Sequence, residues 1–222
     1  MPDFLLIFDL DGTLVDSVPD LTASLNEVLR AGGYAPLTQA EVRPMIGDGV
    51  ATLVARGFAA RGGSADQAAA AMPHYVAYYQ ANSTRSSLPF PGVPETLAEL
   101  RRRGYRTAVC TNKLQRASEI MLQDFKLDSL FDGIAGGDRF AVRKPDAGHL
   151  TLLIDALGAD QARAVMIGDS ENDAASAHAA GLPLLLMGYG YAHTDLATLG
   201  ALRVLDRFDE LPRALGELGL GP

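Results

Sequence analysis

A chain of 222 residues with 48% hydrophobic and 21% charged side chains has the balance of an ordinary globular protein, with room for one or two cores. Its formal net charge of −8 argues against nucleic-acid binding, which needs a basic face, and leaves room for a small anion held by a few local cations. The single cysteine, Cys110, excludes an internal disulfide and suits a reducing compartment.

Phe4-Leu5-Leu6-Ile7-Phe8 is a continuous apolar run, the pattern of a strand covered by helices on both faces, and it stops at Asp9. Asp9 and Asp11 follow with only Leu10 between them, and Gly12-Thr13 supplies the break. Carboxylates at the mouth of a buried strand are costly unless paired or bound to a metal; the plainer alternative is a turn capped by Asp. Asp3 stands where a secretory signal would carry positive charge, and the longest later apolar run, Leu182 to Met187, is far short of the roughly 20 residues of a membrane helix. The expectation is a soluble cytoplasmic protein with no membrane partner.

Ser17 to Leu29 reads as a helix, with Ser17 as N-cap, Pro19 in the first turn and Leu21, Leu25, Val28 and Leu29 on one face. Thr38 to Glu41 has the form of a capping box opening a short helix that Pro44 interrupts. Ile46-Gly47-Asp48-Gly49 is a polar turn before a helix from Val50 to Ala60, and Ser64 to Gln67 is a second capping box leading a helix toward Tyr79 that Pro73 should kink. No strand signal occurs between Ser17 and Ser87. Pro89-Phe90-Pro91-Gly92 marks a boundary, and beyond it the grammar changes. Helices at Pro94 to Arg103, Gln115 to Phe125, Asp146 to Leu157, Glu171 to Ala180 and Leu211 to Leu218 alternate with strands at Tyr105 to Cys110, Gly133 to Ala135, Ala164 to Ile167, Leu182 to Met187 and Arg203 to Leu205. Such alternation predicts an α/β fold: a Rossmann-like open parallel sheet with helices on both faces. The first strand has no partner before residue 105, so it belongs to that sheet, and the helical stretch is an insertion. The expected domains are a catalytic core of residues 1–16 and 88–222 and an all-helical cap of residues 17–87.

In an open parallel sheet, ligands sit outside the carboxyl ends of the strands. That rule selects Asp9 and Asp11 after the first strand, Thr111-Asn112 after the next and Gly168-Asp169-Ser170 after Ala164 to Ile167, with Asp173 one helical turn beyond. Lys144-Pro145 precedes a helix. Carboxylates gathered on one rim demand a cation, and hard oxygen donors suit Mg²⁺, while Lys144 and the backbone N–H groups near Thr111 and Asn112 suit phosphate oxygens. The constellation reads as phosphoryl chemistry on a small phosphorylated metabolite.

Asp9-Leu10-Asp11-Gly12-Thr13, Thr111-Asn112, Lys144-Pro145 and Gly168-Asp169-Ser170-Glu171-Asn172-Asp173 resemble the four ordered motifs of the haloacid dehalogenase superfamily, with the helical insertion in the position of that family's type 1 cap. The resemblance implies Asp9 as nucleophile, forming an aspartyl-phosphate, and Asp11 as general acid and then base, its backbone carbonyl also ligating Mg²⁺. It implies metal binding by Asp9 and Asp169 with Asp173 supporting, and phosphoryl binding by Thr111 and Lys144. Asp11 argues for phosphate transfer over dehalogenation, since a halide leaving group needs no proton. Ile46-Gly47-Asp48-Gly49 and the Gly188-Tyr189-Gly190 turn are similar to the phosphoglycolate phosphatase branch, which implies 2-phosphoglycolate as substrate and Gly47, Asp48 and Gly49 as its cap contacts. The alternatives are another small phosphomonoester, a phosphomutase resembling β-phosphoglucomutase, and, from another class, a phospho-Asp receiver domain. The sequence leaves monomer or homodimer open.

Overall fold

In a computed structural model describing residues 4–222, the first apolar run becomes a strand buried on both faces, as its composition requires; Met1 to Asp3 of the expected first segment lie outside the described residues. The strands are β1 (Leu5–Phe8), β2 (Val15–Asp16), β3 (Leu88–Pro89), β4 (Arg106–Cys110), β5 (Gly133–Ala135), β6 (Ala164–Gly168), β7 (Leu184–Met187) and β8 (Arg203–Leu205). Six of them form one parallel sheet in the order β5-β4-β1-β6-β7-β8. β1 is inserted between β4 and β6, with Phe8 opposite Val109 and Ile167. The residues that follow these three strands therefore emerge level with one another on one rim.

Between β2 and β3 the chain is helical: α1 (Val18–Ala31), α2 (Gln39–Val42), α3 (Val50–Ala59) and α4 (Ala65–Asn82) pack on one another. Both expected capping boxes form, Thr38 with Glu41 and Ser64 with Gln67. Ser17 sits at the N-cap of α1, yet its hydroxyl makes no cap bond. Pro44 ends α2, and a single 3₁₀ turn, Arg43–Met45, follows. α4 runs on through Pro73 as one continuous helix. Pro73 and Ala69 are both exposed, so the carbonyl that loses its helical donor can be taken up by water.

Helices α5 (Val93–Arg102), α6 (Gln115–Asp124) and α9 (Leu211–Glu217) cover one sheet face, and α7 (Gly148–Ala156) and α8 (Glu171–Ala179) cover the other. The pleat sorts β1 between them: Leu6 and Phe8 join the core under α5, α6 and α9, while Leu5 and Ile7 join the core under α7 and α8, all four fully buried. No described helix is long and apolar enough to cross a membrane.

The two crossings between sheet and insertion are tied together. β2 and β3 form a two-residue antiparallel ladder, Val15 opposite Pro89 and Asp16 opposite Leu88, too short to leave a periodic signal in sequence. Beside it the buried Asp20 carboxylate accepts the N–H groups of Ser86 (2.9 Å) and Ser87 (2.8 Å). Truncation would leave both amides without their acceptor, at about 1–3 kcal/mol for a buried unsatisfied group. Asp20→Ala is expected to lower unfolding stability by about 2 kcal/mol or more in urea titrations; a loss under about 0.5 kcal/mol would show that the clasp contributes nothing.

Candidate active site

The end of β1 delivers Asp9 into a cage of charge. Its Oδ1 accepts the N–H of Leu10 (2.7 Å) and lies 3.0 Å from Nζ of Lys144. The same ammonium donates to Oδ1 of Asp173 at 2.6 Å. Lys144 is 2% exposed and Asp173 fully buried, so the ammonium is held by carboxylates alone. Burial pushes the Lys144 ammonium down, but Asp173 and Asp9 more than reverse this and raise it. Oδ2 of Asp173 accepts from the backbone N–H groups of Asp169 (3.0 Å) and Ser170 (3.1 Å) and from the Ser170 hydroxyl (2.8 Å), which fixes the turn between β6 and α8. Asp169 is gripped in turn by the Thr13 hydroxyl (2.8 Å) and the Tyr191 N–H (2.7 Å). Gly12, at φ +87°, lies so close that a Cβ there would stand 2.4 Å from Asp169 Oδ2, so only glycine fits.

The loop carrying Lys144 is fixed by His149, whose Nδ1 accepts the Lys144 N–H and whose Nε2 faces the Gly136 carbonyl, both at 3.2 Å. Burial and the Lys144 cation push His149 down to about 4, so the ring is neutral and structural. Asn112 braces the same loop, donating to the carbonyls of Lys144 and Gly47, both at 2.9 Å. Thr111 is buried beside it, its hydroxyl accepting the Lys113 N–H at 3.3 Å.

Asp11 takes a different partner. Nζ of Lys113 donates to its Oδ1 (2.8 Å) and Oδ2 (3.0 Å), contacts the Tyr79 hydroxyl of α4 and lies 4.6 Å from that ring's centroid. A cavity between sheet rim and insertion is lined by Asp9, Asp11, Gly47, Gly49, Thr111 and Asn112 together with Lys113 and apolar side chains of α1, α3 and α4. Gly49, at φ +88°, brings the start of α3 against the Asn112 carbonyl, which a Cβ would approach to 3.3 Å. Asp48 is outside that cavity. Its carboxylate pairs with Arg56 (2.6 Å) and accepts from Asn172 (2.8 Å), and these partners hold it below the usual carboxylate range against the opposing effect of burial. On the far side Arg43 reaches from the insertion to the carbonyls of Tyr189 (2.9 Å) and Gly190 (2.6 Å), while the Tyr191 hydroxyl donates to Asp16 (2.8 Å) and accepts the Ser17 N–H (2.9 Å).

Known proteins resemble this chain in sequence and in fold. The sequence matches the family model for haloacid dehalogenase-like hydrolases over residues 6–187. The chain belongs to the haloacid dehalogenase-like hydrolases. It is 43% identical over 211 residues to a phosphoglycolate phosphatase of Caulobacter vibrioides, covering 94% of this chain and 89% of that protein. It is also 43% identical over 217 residues to one of Rhodospirillum rubrum, covering 95% and 90%. A crystal structure described as a predicted phosphoglycolate phosphatase of Haemophilus somnus superposes with a TM-score of 0.90 at 30% identity, covering 95% of this chain and 97% of that one. In this hydrolase the helices α1 to α4 are inserted between β2 and β3, as the partnerless first strand led one to expect.

Three carboxylates, Asp9, Asp169 and Asp173, each bring an oxygen within 4.8 Å of the others, and all are buried. Burial raises Asp9 to about 6 against the pull of Lys144, and burial with Asp173 and Asp9 raises Asp169 well above its ordinary value. One ammonium does not balance three acids, so the donor set fits a hard divalent cation such as Mg²⁺. Tyr191 and the pairing of Lys113 with Asp11 carry no local signature. Lys113 adjoins Thr111-Asn112 in sequence, and that adjacency is the one hint of its place.

Because the folded-state value of Asp9 lies above its unfolded one, its ionisation between about pH 4 and 6 costs stability, up to about 3 kcal/mol, and the full cost is present above pH 6. In EDTA at pH 7.5, Asp9→Asn is therefore expected to melt above the wild type, with the gap closing toward pH 5; a variant that melts lower at pH 7.5 contradicts the electrostatic account.

Proposed function

We propose that the protein hydrolyses a small phosphomonoester through an aspartyl-phosphate, with 2-phosphoglycolate as substrate. The observation that carries this reading is the Asp9 carboxylate at the end of β1, fixed through Oδ1 by Lys144 and the Leu10 N–H, on a rim shared with Asp169 and Asp173. Family membership supports the chemistry, and the names of the relatives supply the substrate.

In the proposed mechanism the substrate enters the cavity between cap (residues 17–87) and core (residues 1–16 and 88–222). Thr111 and the backbone N–H groups after β4 bind its phosphoryl oxygens. Lys144 offsets charge as Asp9 attacks phosphorus, forming an aspartyl-phosphate and breaking the bond to the alkoxide oxygen. In its protonated form Asp11, positioned beside Lys113, gives that oxygen a proton, and the carboxylate left behind takes one back from the water that attacks the same phosphorus and breaks its bond to Asp9. Inorganic phosphate leaves and Asp9 is regenerated. Asp9, Asp169 and the backbone carbonyl of Asp11 would hold Mg²⁺, which neutralises phosphoryl charge when bound, and Asp173 supports that shell. Gly47 and Gly49 shape the cap turn over the phosphoryl site. Asp48, paired with Arg56 and Asn172, acts there by holding the turn to the core.

A panel of phosphomonoesters with and without Mg²⁺ tests the reading. Turnover led by 2-phosphoglycolate, lost in EDTA and restored by Mg²⁺, is expected; activity indifferent to the metal counts against it. Asp9→Asn should lower kcat about a thousandfold or more. Asp11→Ala should lower it about 10²- to 10⁴-fold, and a smaller loss would remove Asp11 from proton transfer.

A further inference from the structure

The cavity holds a polar group for which the proposed chemistry has no use. Tyr75 of α4 lines the same space as Asp9, Asp11 and Lys113, is 1% exposed, and its hydroxyl has no hydrogen-bond partner among the described residues. A buried hydroxyl without a partner is costly and calls for an explanation, which a ligand entering the cavity beside it would supply. The ring is fixed, stacked on Tyr79 at 14° with centroids 5.9 Å apart, and Tyr79 in turn meets the ammonium of Lys113. Burial holds the Tyr75 hydroxyl protonated, and it lies within electrostatic reach of both Asp11 and Lys113. Much of the cap wall is apolar, with Leu21, Ile46, Val50 and Leu53; Gln80 is its other uncharged polar side chain besides the two tyrosines. A small substrate seated with its phosphoryl group at Asp9 must place its far end against this wall. A bare carboxylate facing those aliphatic side chains would lose its hydration with nothing in return.

We propose that Tyr75 determines specificity by donating its hydroxyl hydrogen to the carboxylate of a small phosphorylated acid whose phosphoryl group sits at Asp9. The proposal rests on the phosphatase reading above and adds to it the residue that distinguishes a phospho-acid from a plain alkyl phosphate. Lys113 contributes positive potential on the same wall while remaining bound to Asp11. Tyr75 acts on binding of the far end of the substrate, leaving bond making at phosphorus to Asp9 and Asp11.

The test compares wild type and Tyr75→Phe, with Mg²⁺, on 2-phosphoglycolate and on ethyl phosphate, in which a methyl group replaces the carboxylate. The ratio of kcat/KM for the two substrates should fall about 10- to 100-fold in the variant, the size of a lost hydrogen bond to a charged group, and chiefly through KM for 2-phosphoglycolate. Without ligand the variant should melt no lower than wild type, because the substitution removes a hydroxyl that had no partner. A wild-type preference for 2-phosphoglycolate that Tyr75→Phe leaves within about twofold overturns the role of Tyr75 and leaves the phosphatase reading standing. A wild type that turns over neither ester under these conditions sinks both.

Discussion

The structure depends on one buried ammonium. Lys144 stands between Asp9 and Asp173 with almost no contact with water, and each partner is tied to a different part of the sheet: Asp9 to the end of β1, Asp173 to the first turn of α8 after β6. Removing the ammonium would leave two uncompensated buried carboxylates, a kind of loss that typically costs about 3–5 kcal/mol, so geometry and charge are fixed together. Around that pair the rest is support. His149 and Asn112 hold the lysine's loop, Thr13 and the Tyr191 amide hold Asp169, and Gly12 leaves room for Asp169 beside the turn.

An excess of negative charge remains even so, because three buried acids face one cation. A protein seeking only stability would replace such a cluster with apolar side chains. Its retention at the carboxyl ends of adjacent parallel strands, where the backbone register brings them level, is the feature that the proposed chemistry uses. Stability is supplied elsewhere, by a sheet whose central strands are covered on both faces and by the clasp of Asp20 on Ser86 and Ser87.

Much of this was legible in the sequence because the informative residues are local to strand ends. Asp9, Thr111 and Asp169 could be placed from the apolar run that precedes each, and the partnerless first strand required the helical stretch to be an insertion. What was not legible depends on residues far apart in the chain. The Lys113–Asp11 pair spans 102 positions and the Tyr191–Asp16 bond 175, with no periodicity to announce either. The two-residue ladder at the crossings is too short for a pattern, and the unbroken α4 at Pro73 follows from solvent exposure, which a local rule for proline does not see. Asp48 shows the same limit. The partners that hold its carboxylate, Arg56 and Asn172, are not announced by the Gly-rich turn in which it stands.

The inserted helices thus meet the core through attachments of different kind: the ladder and clasp at the crossings, Arg43 on the loop after β7, Asn112 and Asn172 on the Gly47-Asp48 turn, and the Lys113–Tyr79 contact above Asp11. The last of these joins the cavity wall to the residue proposed as proton donor. At the centre stands the claim that Asp9 takes the phosphoryl group. Rapid acid quench of the Mg²⁺-loaded protein during turnover of 2-phosphoglycolate, followed by peptide mass mapping, tests it most directly. The account predicts one phosphoryl group on the peptide carrying Asp9, labile to hydroxylamine; its appearance on another residue instead would contradict the account.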